Sequence, residues 1–315
     1  MSPGPGGPLS VAGFRVAARR AAILVAIIAI VIAVGILRLR AQEIGYVAAL
    51  AAGAVALVVA GRSPRPGARR LADLRWWGVY VLGFMSFALI RTFADDTGIP
   101  WQYGYVIDIE RLGGVVPTVW MQDQWFVRGQ EDAFDVAMFA VYISYFIVPQ
   151  LAGILIWRSN RTRFRLYVAA TLVTFGSGLL ISFILPTAPP WLAGQEGHLP
   201  QVFRVIVEVT SDVEASARDV GYALAGANPV GAMPSLHMGI TVVVALAMWA
   251  QQRALGVVGA LYALTMGLAL VYLGEHYVVD LLAGAAIAVA AWLGVSRIPA
   301  VTRVGSGDGA GESTA

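Results

Sequence analysis

Residues 234–280 read PSLHMGITVVVALAMWAQQRALGVVGALYALTMGLALVYLGEHYVVD, and this stretch decides the fold. It holds two apolar runs, each near the length that crosses about 30 Å of hydrocarbon at roughly 1.5 Å per residue. The polar turn Gln251-Gln252-Arg253 separates them. The pattern predicts a helical hairpin inside a membrane. His237 opens the first run and His276 follows the second, 39 residues later, so one descent and one return bring both imidazoles to the same leaflet. The chain has only one other histidine, His198.

Composition extends that reading to the whole chain. Hydrophobic residues make up 58% and charged residues 13%, with a mean hydropathy of +0.72, whereas soluble domains carry roughly 25% charge. Eight nearly uncharged runs predict an all-α integral membrane protein of about eight transmembrane helices: 21–37, 44–61, 76–94, 136–157, 166–185, 234–250, 254–274 and 277–296. Residues 1–20 and 297–315 read as disordered cytoplasmic tails, rich in Gly, Pro and Ser near the termini. Two transmembrane helices over 21–61 then precede a six-helix membrane domain over 76–296. Cysteine is absent, which excludes disulfides, thiolate metal sites and a cysteine nucleophile. All 22 basic residues are arginine, which excludes Schiff-base chemistry on lysine. These arginines fall in inter-helix loops rather than in one stripe, so no nucleic-acid partner is expected.

Arginine placement also orients the chain, because cytoplasmic loops retain positive charge. With the N-terminus inside, 15 arginines face the cytoplasm and 7 the other side. Asp95, Asp96, Asp108, Glu110, Asp123, Glu131, Asp132 and Asp135 gather in one outer loop, where they read as a solvated face without the spacing of a metal site. Trp76, Trp77, Trp157 and Trp249 fall at inner ends and Trp191 at an outer end, as interfacial rings would. Both termini are expected in the cytoplasm, with the histidines facing out of the cell membrane.

The chemistry follows from spacing. His276 and Asp280 are four residues apart at the start of a helix and share one face. A carboxylate there can accept the Nδ1 hydrogen and leave Nε2 free to attack or to take a proton. A charge inside an apolar span costs roughly 3 kcal/mol, so Asp280 calls for such a role. Pro234 suits a first helical turn, where the amides of Ser235 and Leu236 would lack intrahelical acceptors and form an anion site. The Ser235 hydroxyl adds a donor, and His237 in the same turn can protonate a leaving oxygen. The set suits phosphoryl transfer with no metal and no cofactor.

PSLH at 234–237 and HYVVD at 276–280 resemble the Pro-Ser-x-His and His-x3-Asp blocks of the type 2 phosphatidic acid phosphatase superfamily. PTAPPW at 186–191 and the segment 91–122, ending in PTVWMQ, are similar to the branch that includes inositol phosphorylceramide synthase and sphingomyelin synthase. The resemblance covers roughly 76–296. It implies that His276 forms a phosphohistidine, that Asp280 orients it, and that His237 protonates the leaving group. It also implies a lipid phosphoester substrate and, as acceptor, either a lipid alcohol or water. Transfer of a phosphoinositol-like headgroup to a lipid alcohol is the leading expectation, with hydrolysis of phosphatidic acid or a polyprenyl phosphate as the alternative. The superfamily's arginine six residues before the second histidine is replaced here by Leu270, so the phosphate's cation is sought elsewhere, first at Arg91 and then at Arg111.

Plainer readings compete. The same residues could relay protons in a coupled transporter, or belong to a scaffold without activity. Against transport, the polar residues gather at one leaflet and no inverted repeat is visible. His198 reads as an ordinary loop residue, Glu275 as a neighbour of the site or an interfacial group, and the small residues at 176–178 and 284–286 as points of close helix packing.

Overall fold

The computed structural model describes residues 67–91, 98–211 and 231–302. The expected spans at 21–37 and 44–61, the two tails, and Asp95 and Asp96 lie outside the described residues. The described helices are α1 (Gly67–Arg91), α2 (Gly104–Arg111), α3 (Pro117–Trp125), α4 (Ala133–Ser144), α5 (Val148–Ser159), α6 (Arg161–Ile184), α7 (Pro190–Gln195), α8 (Val205–Ser211), α9 (Leu236–Gln251), α10 (Arg253–Tyr272), α11 (Val278–Val295) and α12 (Pro299–Thr302). Among these residues there is no strand, only isolated bridges from Thr187 to Gln102 and to Gly231.

Three helices, α6, α10 and α11, are long and apolar enough to cross a membrane, and the bent pair α4–α5 makes a fourth crossing if taken as one span. Their outward faces are greasy: Val258, Leu261 and Leu264 on α10 and Leu282 on α11 are all more than half exposed. Such faces suit hydrocarbon, because the backbone polar groups are already paired within each helix. α9 has only 16 residues, a length of about 24 Å, so it falls short of a full hydrocarbon crossing.

The expected single span at 136–157 is broken. α4 and α5 meet at 48° across Tyr145–Ile147, where three successive amides bond carbonyls three residues back, Tyr145 to Tyr142, Phe146 to Ile143 and Ile147 to Ser144. Pro149 in the first turn of α5 accounts for the break, since it has no N–H for a continuous ladder.

Helix contacts are close where residues are small. A Cβ on Gly259 would lie 2.8 Å from the Ala245 Cα, which brings α9 and α10 together backbone to backbone. A Cβ on Gly178 would lie 2.4 Å from a Leu236 methyl, in line with the packing role expected at 176–178. Trp77 and Trp157 are not interfacial as expected. Both are almost fully buried, packed edge to face at 6.0 Å and joined by Phe164 in an aromatic core. Trp249 is half exposed.

A second layer covers one end of the bundle. α2 and α7 pack a separate apolar cluster of Val106, Ile107, Trp191, Leu192 and Leu199 around Tyr277. Gln122 on α3 ties this layer down by donating to the carbonyls of Phe203 (2.9 Å) and Tyr272 (2.8 Å) while accepting from the Phe203 amide (2.8 Å).

Candidate active site

Backbone geometry brings the two histidine-bearing stretches together. After α10 the chain turns at Gly274, whose φ of +81° suits a residue without a side chain, and the amides of Glu275 and His276 both close on the Leu270 carbonyl at 3.1 and 3.2 Å. A Cβ at this position would also meet the Phe203 carbonyl at 2.7 Å. His276 is thereby fixed just before α11. The start of α9 docks on the start of α11 through the Ser235 amide, which donates to the Asp280 carbonyl at 3.0 Å. Gly284 permits the approach, because a Cβ there would sit 2.0 Å from the Ser235 oxygen.

The result is a pair of imidazoles. The rings of His237 and His276 lie 5.6 Å apart, centre to centre, and cross at 63°. His276 Nδ1 lies 3.0 Å from the Ala232 carbonyl and 3.5 Å from Asp280 Oδ2. A carbonyl only accepts, so Nδ1 carries the hydrogen and Nε2 keeps its lone pair. Asp280 is fully buried and its Oδ2 also accepts the Tyr277 amide at 2.8 Å. The tautomer therefore has two guards, the Ala232 carbonyl being the nearer one, which the sequence spacing does not reveal.

His237 is enclosed differently. Its ring lies 4.3 Å from Tyr145, 5.1 Å from Tyr142 and 6.4 Å from Phe146, so the break between α4 and α5 forms an aromatic wall around it. Among the described residues no carboxylate hydrogen-bonds it, in contrast to His276.

The expected anion cradle differs in detail. Pro234 precedes the helix rather than entering its first turn, Ser235 is the N-cap, and its hydroxyl oxygen accepts the Met238 amide at 3.3 Å. With the Ser235 amide spent on Asp280, the first-turn amides without an acceptor among the described residues are those of Leu236 and His237.

The two candidate arginines part company. Arg91 ends α1 half-buried, within electrostatic range of His237, Tyr142 and Tyr145. Arg111 ends α2 with its side chain exposed and makes no hydrogen bond or ion pair to either histidine. A third arginine enters from the loop before α8. Arg204 pairs with Glu275 through two contacts of 2.6 and 3.0 Å and lies over the Trp191 ring at 4.4 Å. Trp191 is accordingly buried rather than interfacial. Beside this pair a cleft of about 720 Å³ opens between Trp191, Gln195, Phe203 and Arg204.

Two members of the acidic cluster expected as a solvated face are not solvated. Asp135 is buried, closes the capping box of α4 with Asp132, and accepts the Tyr272 hydroxyl. Glu110 is buried and accepts the Val279 amide at 2.9 Å. Both belong to the fold because each answers a donor that burial would otherwise orphan. Among the described residues, no three His, Asp or Glu side chains are grouped as a metal site. His198 stands apart from the pair, stacked at 4.2 Å on Tyr103.

No curated protein and no solved structure matches the chain. A family model described as the PAP2 superfamily does, over residues 104–294, which takes in both histidine blocks and every helix from α2 through α10 with all but the last residue of α11. The chain therefore belongs to the PAP2 superfamily, that of the type 2 phosphatidic acid phosphatases.

Proposed function

We propose that the protein is a lipid phosphotransferase that needs no metal and moves a phosphate-linked headgroup from one lipid to a lipid alcohol through an adduct on His276. The observation that carries this reading is the convergence of two imidazoles 5.6 Å apart, of which only His276 has a carboxylate behind it. That asymmetry separates a nucleophile from an acid. His276 Nε2 attacks phosphorus, the bond from phosphorus to the leaving oxygen breaks, and His237 gives that oxygen a proton. The acceptor hydroxyl then returns a proton to His237 as its oxygen attacks phosphorus and frees His276. Arg91 faces the phosphoryl oxygens, the open amides of Leu236 and His237 add donors, and Ser235 holds the turn with its hydroxyl hydrogen left for the substrate. Arg111 has no part in this arrangement.

Two features favour transfer over hydrolysis. His276 is only 6% exposed and His237 is ringed by aromatics, which limits water. The cleft lined by Arg204, whose guanidinium pairs with Glu275, the chain neighbour of His276, gives a second polar headgroup room. In the full account, the six-helix domain of 76–296 follows two further transmembrane helices in the cell membrane. Both termini are cytoplasmic and the site faces outward, in keeping with the arginine-rich opposite end of the bundle at Arg158, Arg161, Arg163, Arg165 and Arg253.

Purified protein incubated with headgroup-labelled phosphatidylinositol and a panel of lipid alcohols tests the reading. Label on the alcohol is the expected product. Free headgroup phosphate alone would leave hydrolysis as the activity, and undiminished turnover in His276→Ala would remove the histidine mechanism altogether.

A further inference from the structure

The helix that carries Asp280 caps only its first amide from within: Asp280 Oδ2 accepts the Tyr277 amide at 2.8 Å. The Tyr277 hydroxyl has no hydrogen-bond partner among the described residues, so the amides of Val278 and Val279, half-buried beneath α2, call for an acceptor from outside the helix. The acceptor that meets them comes from 169 positions away: Glu110 Oε1 takes the Val279 amide at 2.9 Å. Glu110 is 7% exposed, and α2 presents it by packing on α11 through the cluster around Val106, Ile107 and Tyr277. Its second oxygen, Asp280 Oδ1 and the Tyr277 hydroxyl are all buried without a hydrogen-bond partner among the described residues. Glu110 thus closes the rear of the His276–Asp280 pair without touching either imidazole.

We propose that Glu110 is a positioning residue for the reaction, capping α11 from outside the helix so that Asp280 and His276 hold the geometry an attack on phosphorus requires. A carboxylate at a helix N-terminus answers both the orphan amide and the positive end of the dipole. The turn it fixes also carries the Tyr277 amide to Asp280 Oδ2, so a frayed first turn would loosen the carboxylate behind His276. This inference rests on the proposed histidine chemistry for its kinetic arm and on the helix alone for its structural arm.

Both arms use full-length protein in detergent, comparing Glu110→Ala and Glu110→Gln with the wild type. The glutamine keeps a carbonyl oxygen for the Val279 amide. In the structural arm, hydrogen exchange over 276–282 is expected to quicken about fivefold in Glu110→Ala, the equivalent of about 1 kcal/mol for a lost cap, and to stay unchanged in Glu110→Gln. In the kinetic arm, with headgroup-labelled phosphatidylinositol and a lipid alcohol, kcat of Glu110→Ala is expected to fall about tenfold or more at unchanged KM. Glu110→Gln should stay within about threefold of wild type in kcat, because the cap survives. Unaltered exchange in Glu110→Ala overturns the proposal, and so does a tenfold kcat loss in Glu110→Gln. Should Glu110→Ala fail to fold, Glu110→Asp, one methylene short of the amide, replaces it with the same expected direction, and wild-type exchange and kcat there overturn the proposal. A wild type without turnover would sink the transfer reading and leave the exchange arm standing.

Discussion

An imidazole attacks phosphorus only if one nitrogen is held protonated and the other bare, and at His276 two acceptors impose that state. Their division predicts graded losses. His276→Ala removes the nucleophile and should lower kcat by about 10³-fold or more. Asp280→Asn leaves the Ala232 carbonyl to hold the tautomer and removes only the charge that steadies an imidazolium, so about 10² is expected in steady-state kinetics. Equal losses would mean that Asp280 alone sets the tautomer. Glu110 offers a test by pH. Burial pushes its carboxyl above the usual carboxylate range, amides of Val279 and Val278 pull it back in part, and the charge of Asp280 pushes it up again. A raised native value makes its contribution to stability complete below the ordinary value near about 4.3, and that contribution is lost as pH rises through the raised one. Thermal unfolding in detergent should therefore show Glu110→Gln gaining on wild type as pH rises from about 4. A gap that does not change with pH contradicts this. The histidines and Asp280 were legible because spacing along two helices shows them. Ala232 and Glu110 were not, since the first acts through its backbone and the second meets its partner only after the chain has folded back.

At the scale of elements, the approach of α9 to α11 is the contact on which the pair depends. A methyl at Gly284 would meet backbone oxygen and carbon of Ser235 at 2.0 and 3.0 Å, and neither can turn aside as a side chain would. Gly284→Ala should thus cost about 1–3 kcal/mol or more, seen as a lower Tm, and should separate the histidines enough to depress turnover. Gly294→Ala, in the same helix with nothing within 4 Å of the added carbon, is the control and should be neutral or slightly stabilising. If the two variants behave alike, close approach does not hold the site. Hydropathy finds the helices but averages over Pro149, so it reads one span where the chain bends by 48° to wrap His237. It also cannot tell a tryptophan at a boundary from one in the core, which is why Trp77, Trp157 and Trp191 are buried where interfacial rings were expected.

On the scale of the whole molecule, the chain is polarised. Arginines collect at the end of the bundle where α5 gives way to α6 and α9 to α10, with Arg163 donating to Gln251 at 2.8 Å across them. The layer of α2, α3, α7 and α8 lies at the other end, over the histidines. The absence of cysteine makes orientation directly measurable. In intact cells, a cysteine at the exposed Gln130 should react with a membrane-impermeant maleimide, and one at the exposed Arg253 only after permeabilisation. The reverse pattern would turn the site toward the cytoplasm. The central claim itself, that His276 receives the phosphorus, is tested most directly by quenching the enzyme during turnover and locating the adduct by mass spectrometry. The account predicts an acid-labile phosphorus adduct on the peptide bearing His276, present in wild type, accumulating when His237 is replaced by alanine in the presence of a donor with a good leaving group, and absent from His276→Ala. An adduct on any other side chain, or turnover at the wild-type rate in His276→Ala, would contradict it.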